Sequence, residues 1–189
     1  MIRYFAVVAV CLIGWAGIAQ DDCDYKIQVE TEEEIFKMTN EKLVEYMLAP
    51  KESVFIYFSL MRQNEHPSLV LQISLNAMEM PPILCFDKKS RITFKLVDGT
   101  YVALPYLDEI NCGRQTDHTD QLDNSLSEAA FYMDSIAIDR LKKVEIESMR
   151  ITTMETNFDV SFQKVISNKE IQVPIYPREY FMKALGCIE

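Results

Sequence analysis

Four side chains crowded into one polar stretch, Asp117, His118, Asp120 and Asp123, are the residues best suited to chemistry in this chain. Carboxylates and an imidazole are ligands for a divalent cation, and a metal held there would activate water for hydrolysis. The spacing fits no established cage. It lacks the Asp-x-Asp-x-Asp-Gly order of a calcium loop, and one histidine without cysteine neighbours makes a poor zinc set. Aspartate-rich loops are usually just solvated, so the expectation is no resident cofactor, with a small metal-assisted secreted hydrolase as the alternative. Metal-free nucleophilic hydrolysis has less support. The other histidine, His66, precedes Pro67 in what reads as a hairpin loop, and no Gly-x-Ser-x-Gly elbow occurs. No phosphate-loop or dinucleotide fingerprint is present.

The cysteines point to stapling. Met1 to Arg3 precede an uncharged run from Tyr4 to Ala19, with Gly17 and Ala19 placed three and one before a cut at Gln20. This reads as a secretory signal over residues 1–19, followed by one exported globular domain over 20–189. The uncharged run is shorter than the roughly 20 residues that span a bilayer, so no membrane insertion is expected after cleavage. The only tryptophan, Trp15, lies in that run, which leaves the mature chain without the usual stacking platform for sugars. Loss of Cys11 leaves Cys23, Cys85, Cys112 and Cys187, an even number bound for an oxidising compartment, periplasmic or extracellular. None of the four lies close enough to another for a Cys-x-x-Cys metal or redox motif.

Asp98-Gly99 is the strongest hairpin signal, because both residues tolerate the positive φ of a type I′ turn. Val97 then faces Thr100, and the same register carries Cys85 opposite Cys112. By elimination Cys23 joins Cys187. That register also places Tyr101 and Ala103 on the apolar face of Ile92, Phe94 and Leu96.

The elements that must position these groups are mostly strands. Val54, Ile56, Phe58 and Leu60 alternate with Phe55 and Tyr57, which predicts a central strand covered on both sides. Leu69, Leu71, Ile73 and Leu75 alternate with polar positions, a half-buried strand, with Arg62 to Pro67 connecting the two. Residues 32–39 and 42–48 fit either a short helix or two modest strands, and strands are the expectation. Asn111 to Ser127 is polar, with a single glycine, and reads as the longest unstructured segment. A helical turn near Asp139 to Lys143 and strands from Val144 and around Phe158 follow. Pro177 then opens a closing helix that Gly186 ends, with Tyr180, Phe181, Ala184 and Leu185 as its apolar stripe. The sum is a β-rich α+β domain: an antiparallel sheet or sandwich of about eight strands, a short helix and a C-terminal helix. Met78, Met80, Pro81 and Pro82 meet in one loop and form a candidate partner contact.

The stretches RITFKLVDGTYVALP (91–105), SIAIDRLKKVEIESMRIT (135–152) and the ending REYFMKALGCIE resemble secreted β-rich proteins of no assigned activity that are common in Bacteroidetes. The resemblance covers about a quarter of the mature chain. It implies an exported bacterial β-rich domain and brings no catalytic residue or cofactor.

Among 189 residues, 29 are acidic and 19 basic, a formal charge of -10 that becomes -11 once Arg3 leaves with the signal. This excludes the basic face that a nucleic-acid binder needs. The apolar fraction of 49% with 25% charged residues is that of a folded domain rather than a disordered one. The function expected is non-catalytic binding or accessory work by an exported domain, with an unknown protein or small ligand as partner. A secreted inhibitor of another enzyme shares the same scaffold.

Overall fold

A computed structural model describes residues 23–117, 122–167 and 173–189. The expected signal at 1–19 lies outside them. The chain forms, in order, β1 (Tyr25–Glu30), β2 (Ile35–Thr39), β3 (Lys42–Ala49), β4 (Glu52–Gln63), β5 (His66–Ala77), β6 (Cys85–Phe86), β7 (Arg91–Leu96), β8 (Tyr101–Pro105), β9 (Asn111–Cys112), β10 (Arg114–Thr116) and β11 (Asp123–Tyr132). Helix α1 (Ser135–Leu141), β12 (Ile146–Thr152) and β13 (Asn157–Ser161) follow, and α2 (Tyr180–Ala184) lies between 3-10 turns at Pro177–Glu179 and Leu185–Ile188. This is a β-rich α+β fold.

A seven-stranded antiparallel sheet runs β1-β2-β4-β5-β11-β10, with β3 pairing β4 alongside β2. The two share an edge because β4 is long: β2 takes Met61–Gln63 and β3 takes Glu52–Phe58. The second sheet runs β13-β12-β7-β8, and β6 pairs β9 in a third. Ile56, Phe58 and Leu60 of β4 and Leu69, Leu71 and Ile73 of β5 face Ile92, Phe94, Leu96 and Ile151 of the second sheet in one buried core. Phe55 and Tyr57 are half-buried on the opposite face, so β4 is fully covered on one side only. The β4–β5 connection is tighter than the sequence implied, a two-residue turn at Asn64-Glu65 with Asn64 at φ 55°. His66 is the first residue of β5 rather than part of a loop.

The Asp98-Gly99 hairpin forms with a register one residue away from the type I′ expectation. Leu96, not Val97, faces Thr100, and Gly99 alone takes positive φ, at 82°. The loop has three residues, a turn closed by a left-handed glycine bulge. A one-residue slip exchanges the faces of a strand. Val102 and Leu104 therefore join the core, while Tyr101 and Ala103 point outward. Cys85 still lies opposite Cys112, because five residues of one arm (106–110) answer four of the other (87–90) and restore the offset.

Residues 111–127 depart furthest from expectation, since β9, β10 and the start of β11 occupy the segment read as unstructured. Small and polar side chains form the inward face of β11: Ser125, Ser127, Ala129 and Phe131 are all buried. The serines have specific partners there. Ser125 Oγ donates to the Pro82 carbonyl at 2.8 Å, and the Leu84 amide donates to Ser127 Oγ at 3.0 Å. Gly113 is required by close approach rather than by a turn, since a Cβ there would meet the Leu126 carbonyl at 2.6 Å and Ser127 Oγ at 2.3 Å. These short polar strands raise the count to thirteen among the described residues, against about eight expected.

The first helix begins earlier than the sequence implied, at Ser135, because Asp134 caps it by accepting from the Ala137 amide at 2.7 Å. At the other end, Gly186 lies inside the final 3-10 turn rather than past it.

The disulfides are Cys85–Cys112 and Cys23–Cys187, spanning 27 and 164 residues. In the chain-entropy account, closing loops of these lengths contributes about 3 to 5 kcal/mol each, more for the longer. Replacing Cys23 and Cys187 by serine is expected to lower the melting temperature by about 10 °C or more, and by more than the Cys85/Cys112 pair does. Calorimetry of the two double variants checks this, and an unchanged melt for the Cys23/Cys187 variant would contradict the stapling account.

Candidate functional site

The Cys23–Cys187 bond holds the start of the described chain against its last helical turn, and a cleft of about 510 Å³ opens beside it. One wall comes from the end of β2 and the start of β3, with Thr39, Leu43 and Val44. The other is the segment 173–177 with α2, including Ile175, Pro177, Tyr180 and Ala184. Ile175 is fixed by paired backbone bonds with Ile166, at 2.9 and 3.0 Å. Pro177 suits the opening of a helical turn, where its missing N–H costs no bond. Arg178 Nε donates to the Phe162 carbonyl at 2.9 Å, which anchors that turn to the core.

The floor carries two hydroxyls. Thr39, buried at the end of β2, accepts from the Leu60 amide at 2.9 Å. Tyr180 packs its ring against Phe58, with centroids 5.4 Å apart, and against Phe181 at 5.3 Å. Its Oη has no hydrogen-bond partner of acceptable geometry among the described residues. Burial drives the phenol well above the ordinary tyrosine range, and the Thr39 hydroxyl offsets this only in part. Leaving a buried hydroxyl unmatched costs about 1 to 3 kcal/mol, so the site carries an unspent donor and acceptor.

The charges at the cleft are paired. Lys42 Nζ lies 3.5 Å from Asp24, and Lys183 Nζ lies 2.6 Å from Glu179 and 4.6 Å above the Tyr176 ring. The cleft therefore presents apolar walls bordered by ion pairs, with the Thr39 and Tyr180 hydroxyls buried beneath them.

Of the residues singled out from sequence, Cys23 and Cys187 border this cleft, whereas Asp117 and Asp123 do not. His118 and Asp120 are outside the described residues, Asp117 is exposed beyond β10, and Asp123 begins β11 opposite Ala77. Among the described residues no group of three or more histidines, cysteines or carboxylates is placed to hold a metal. Met78 and Met80 are 64% and 42% exposed, but the prolines beside them have structural partners. The Pro81 carbonyl accepts from Gln115 Nε2 at 2.7 Å, and the Pro82 carbonyl accepts from Ser125. Phe55 and Tyr57, which precede Phe58 in β4, lie on the opposite face of the sheet and do not line the cleft, and burial raises the Tyr57 phenol. The sequence reading put Tyr180 in an apolar stripe and did not single out Thr39 or Ile175. A tyrosine between apolar neighbours gives no sign of whether its hydroxyl finds a partner.

No protein-family model, curated protein or solved structure matches this chain.

Tyr180→Phe removes the unmatched hydroxyl and is expected to keep or raise stability at pH 7. The raised phenol adds a sign-specific effect. The folded chain keeps the proton while the unfolded chain releases it above about pH 10, so the native state loses stability as pH rises past that value. Urea unfolding of the wild type should therefore fall relative to Tyr180→Phe by about 1.4 kcal/mol per pH unit above pH 10. Parallel pH profiles for the two proteins would contradict the buried, unmatched phenol.

Proposed function

We propose that this protein is a non-catalytic binding domain of an exported compartment, periplasmic or extracellular, and that the cleft beside Cys23–Cys187 is where it holds a small apolar ligand. The observation that carries this reading is the cleft itself: apolar walls, ion pairs already satisfied, and two hydroxyls on its floor. Ligand sites are concave, mostly apolar, and supplied with a few polar groups that set orientation. Two disulfides belong to an oxidising compartment, and the acidic balance of the chain favours solubility there. Among the described residues no helix is long and apolar enough to cross a membrane.

The test uses the exported protein purified from its own source under native conditions, extracted with organic solvent and examined by mass spectrometry. Ala184→Trp, which fills the cleft, serves as the comparison, with its melt measured to show that it folds. The expected result is a reproducible apolar species released by the wild type and absent from the variant. Identical extracts would contradict the reading. So would a stoichiometric metal that leaves when Asp117, His118 and Asp120 are replaced by alanine, because that result belongs to a hydrolase.

A further inference from the structure

The binding reading leaves open what chemistry the cleft selects, and the paired charges and the unmatched phenol bear on that point. We propose that the cleft selects an uncharged molecule, with an apolar body and one hydroxyl that meets Tyr180 and Thr39. This rests on the binding reading above and narrows it to a ligand class.

The argument starts from charge. Among the described residues, Lys42 and Lys183 are the cations bordering the cleft, and each already faces a carboxylate, Asp24 and Glu179. An anionic ligand would compete with those carboxylates for the lysines while entering a protein of formal charge -10. A cationic ligand would compete with the lysines for the same carboxylates. A neutral ligand disturbs neither pair, and burying an ionised group in an apolar cleft without a free counter-charge is costly.

The polar atoms on the floor then specify the ligand's one polar group. Thr39 Oγ1 accepts from the Leu60 amide and keeps a hydrogen to donate, while Tyr180 Oη retains both donor and acceptor capacity. A hydroxyl, which both donates and accepts, answers both floor groups. Tyr180 Oη is sealed from solvent. Contact with it therefore requires a small displacement of the side chains above, and no water competes for the bond once it forms. The volume of about 510 Å³ falls in the range of small-molecule sites and suits a medium-length alkyl or a compact ring body.

The experiment follows methyl resonances of Leu43, Val44 and Ile175 in the disulfide-intact protein. 1-Decanol, decanoate and decyltrimethylammonium are titrated at one ionic strength, each below its aggregation limit. The expected result is saturable shifts with 1-decanol and at least tenfold weaker binding of both charged probes. Tyr180→Phe should weaken 1-decanol several-fold without a fall in melting temperature, and Ala184→Trp or Leu43→Trp should abolish the shifts. Equal or tighter binding of a charged probe overturns the proposal, as does full retention of affinity in Tyr180→Phe. If 1-decanol gives no saturable shift while native extraction still releases a cleft-dependent species, the ligand class is wrong and the binding reading stands. If both fail, the binding reading falls with it.

Discussion

The packing of one ring, Phe58, is the constraint on which the rest of the fold depends. It is fully buried at the centre of β4 and touches Phe94 of the second sheet, Phe162 beyond β13, and both Tyr180 and Phe181 of the closing helix. Edge-to-face contacts of this kind prefer a narrow range of geometry, so a single side chain fixes the spacing of two sheets and the seat of a helix. A second cluster of Phe86, Tyr106 and Phe131 joins the β6–β9 pair to β11 and is separately stapled by Cys85–Cys112.

The cleft is a consequence of how the closing helix is held. Leu185 and Ile188 are buried, Tyr25 donates from its hydroxyl to the Cys187 carbonyl at 2.7 Å, and Arg62 reaches the Ile188 carbonyl at 3.3 Å. Lys142 adds an ion pair to Glu189. Those ties pull the last turn onto β1, β2 and β4, while Tyr180 is drawn inward by Phe58 and Phe181. Its hydroxyl is carried under the floor by the needs of its ring, and among the described residues it is the buried side-chain polar atom left unmatched. Buried polar groups are matched in the great majority of cases, so an exception lining a cleft is a rational place to look for a ligand.

Much of the scaffold was legible in the sequence because period-two alternation is a direct imprint of burial on a strand. Val54 to Leu60, Leu69 to Leu75 and Phe158 to Phe162 show it with large apolar residues. In β11 the same alternation is written in Ser125, Ser127 and Ala129, and the two serines are buried on carbonyl and amide partners more than forty residues away in sequence, which hydropathy does not register. The Asp98-Gly99 turn was legible as a turn but not in length. Asp98 accepts from the amide and hydroxyl of Thr100 and is held by Arg140 from α1, and the resulting three-residue loop moves Val102 and Leu104 into the core. The cleft was not legible, because Thr39 and Leu43 come from one stretch, Ile175 and Tyr180 from another far along the chain, and their meeting depends on tertiary packing.

The proposed binding role rests on the apolar cleft that this disulfide-tied β scaffold holds open. The most direct measurement is a crystal structure of the exported protein isolated from its own source with no ligand added. The account predicts density for an apolar molecule between β3 and the closing helix, with a polar atom within hydrogen-bond distance of Thr39 or Tyr180. A cleft filled by ordered water that bonds Tyr180 Oη, with Lys42 or Lys183 free of its carboxylate, would contradict it.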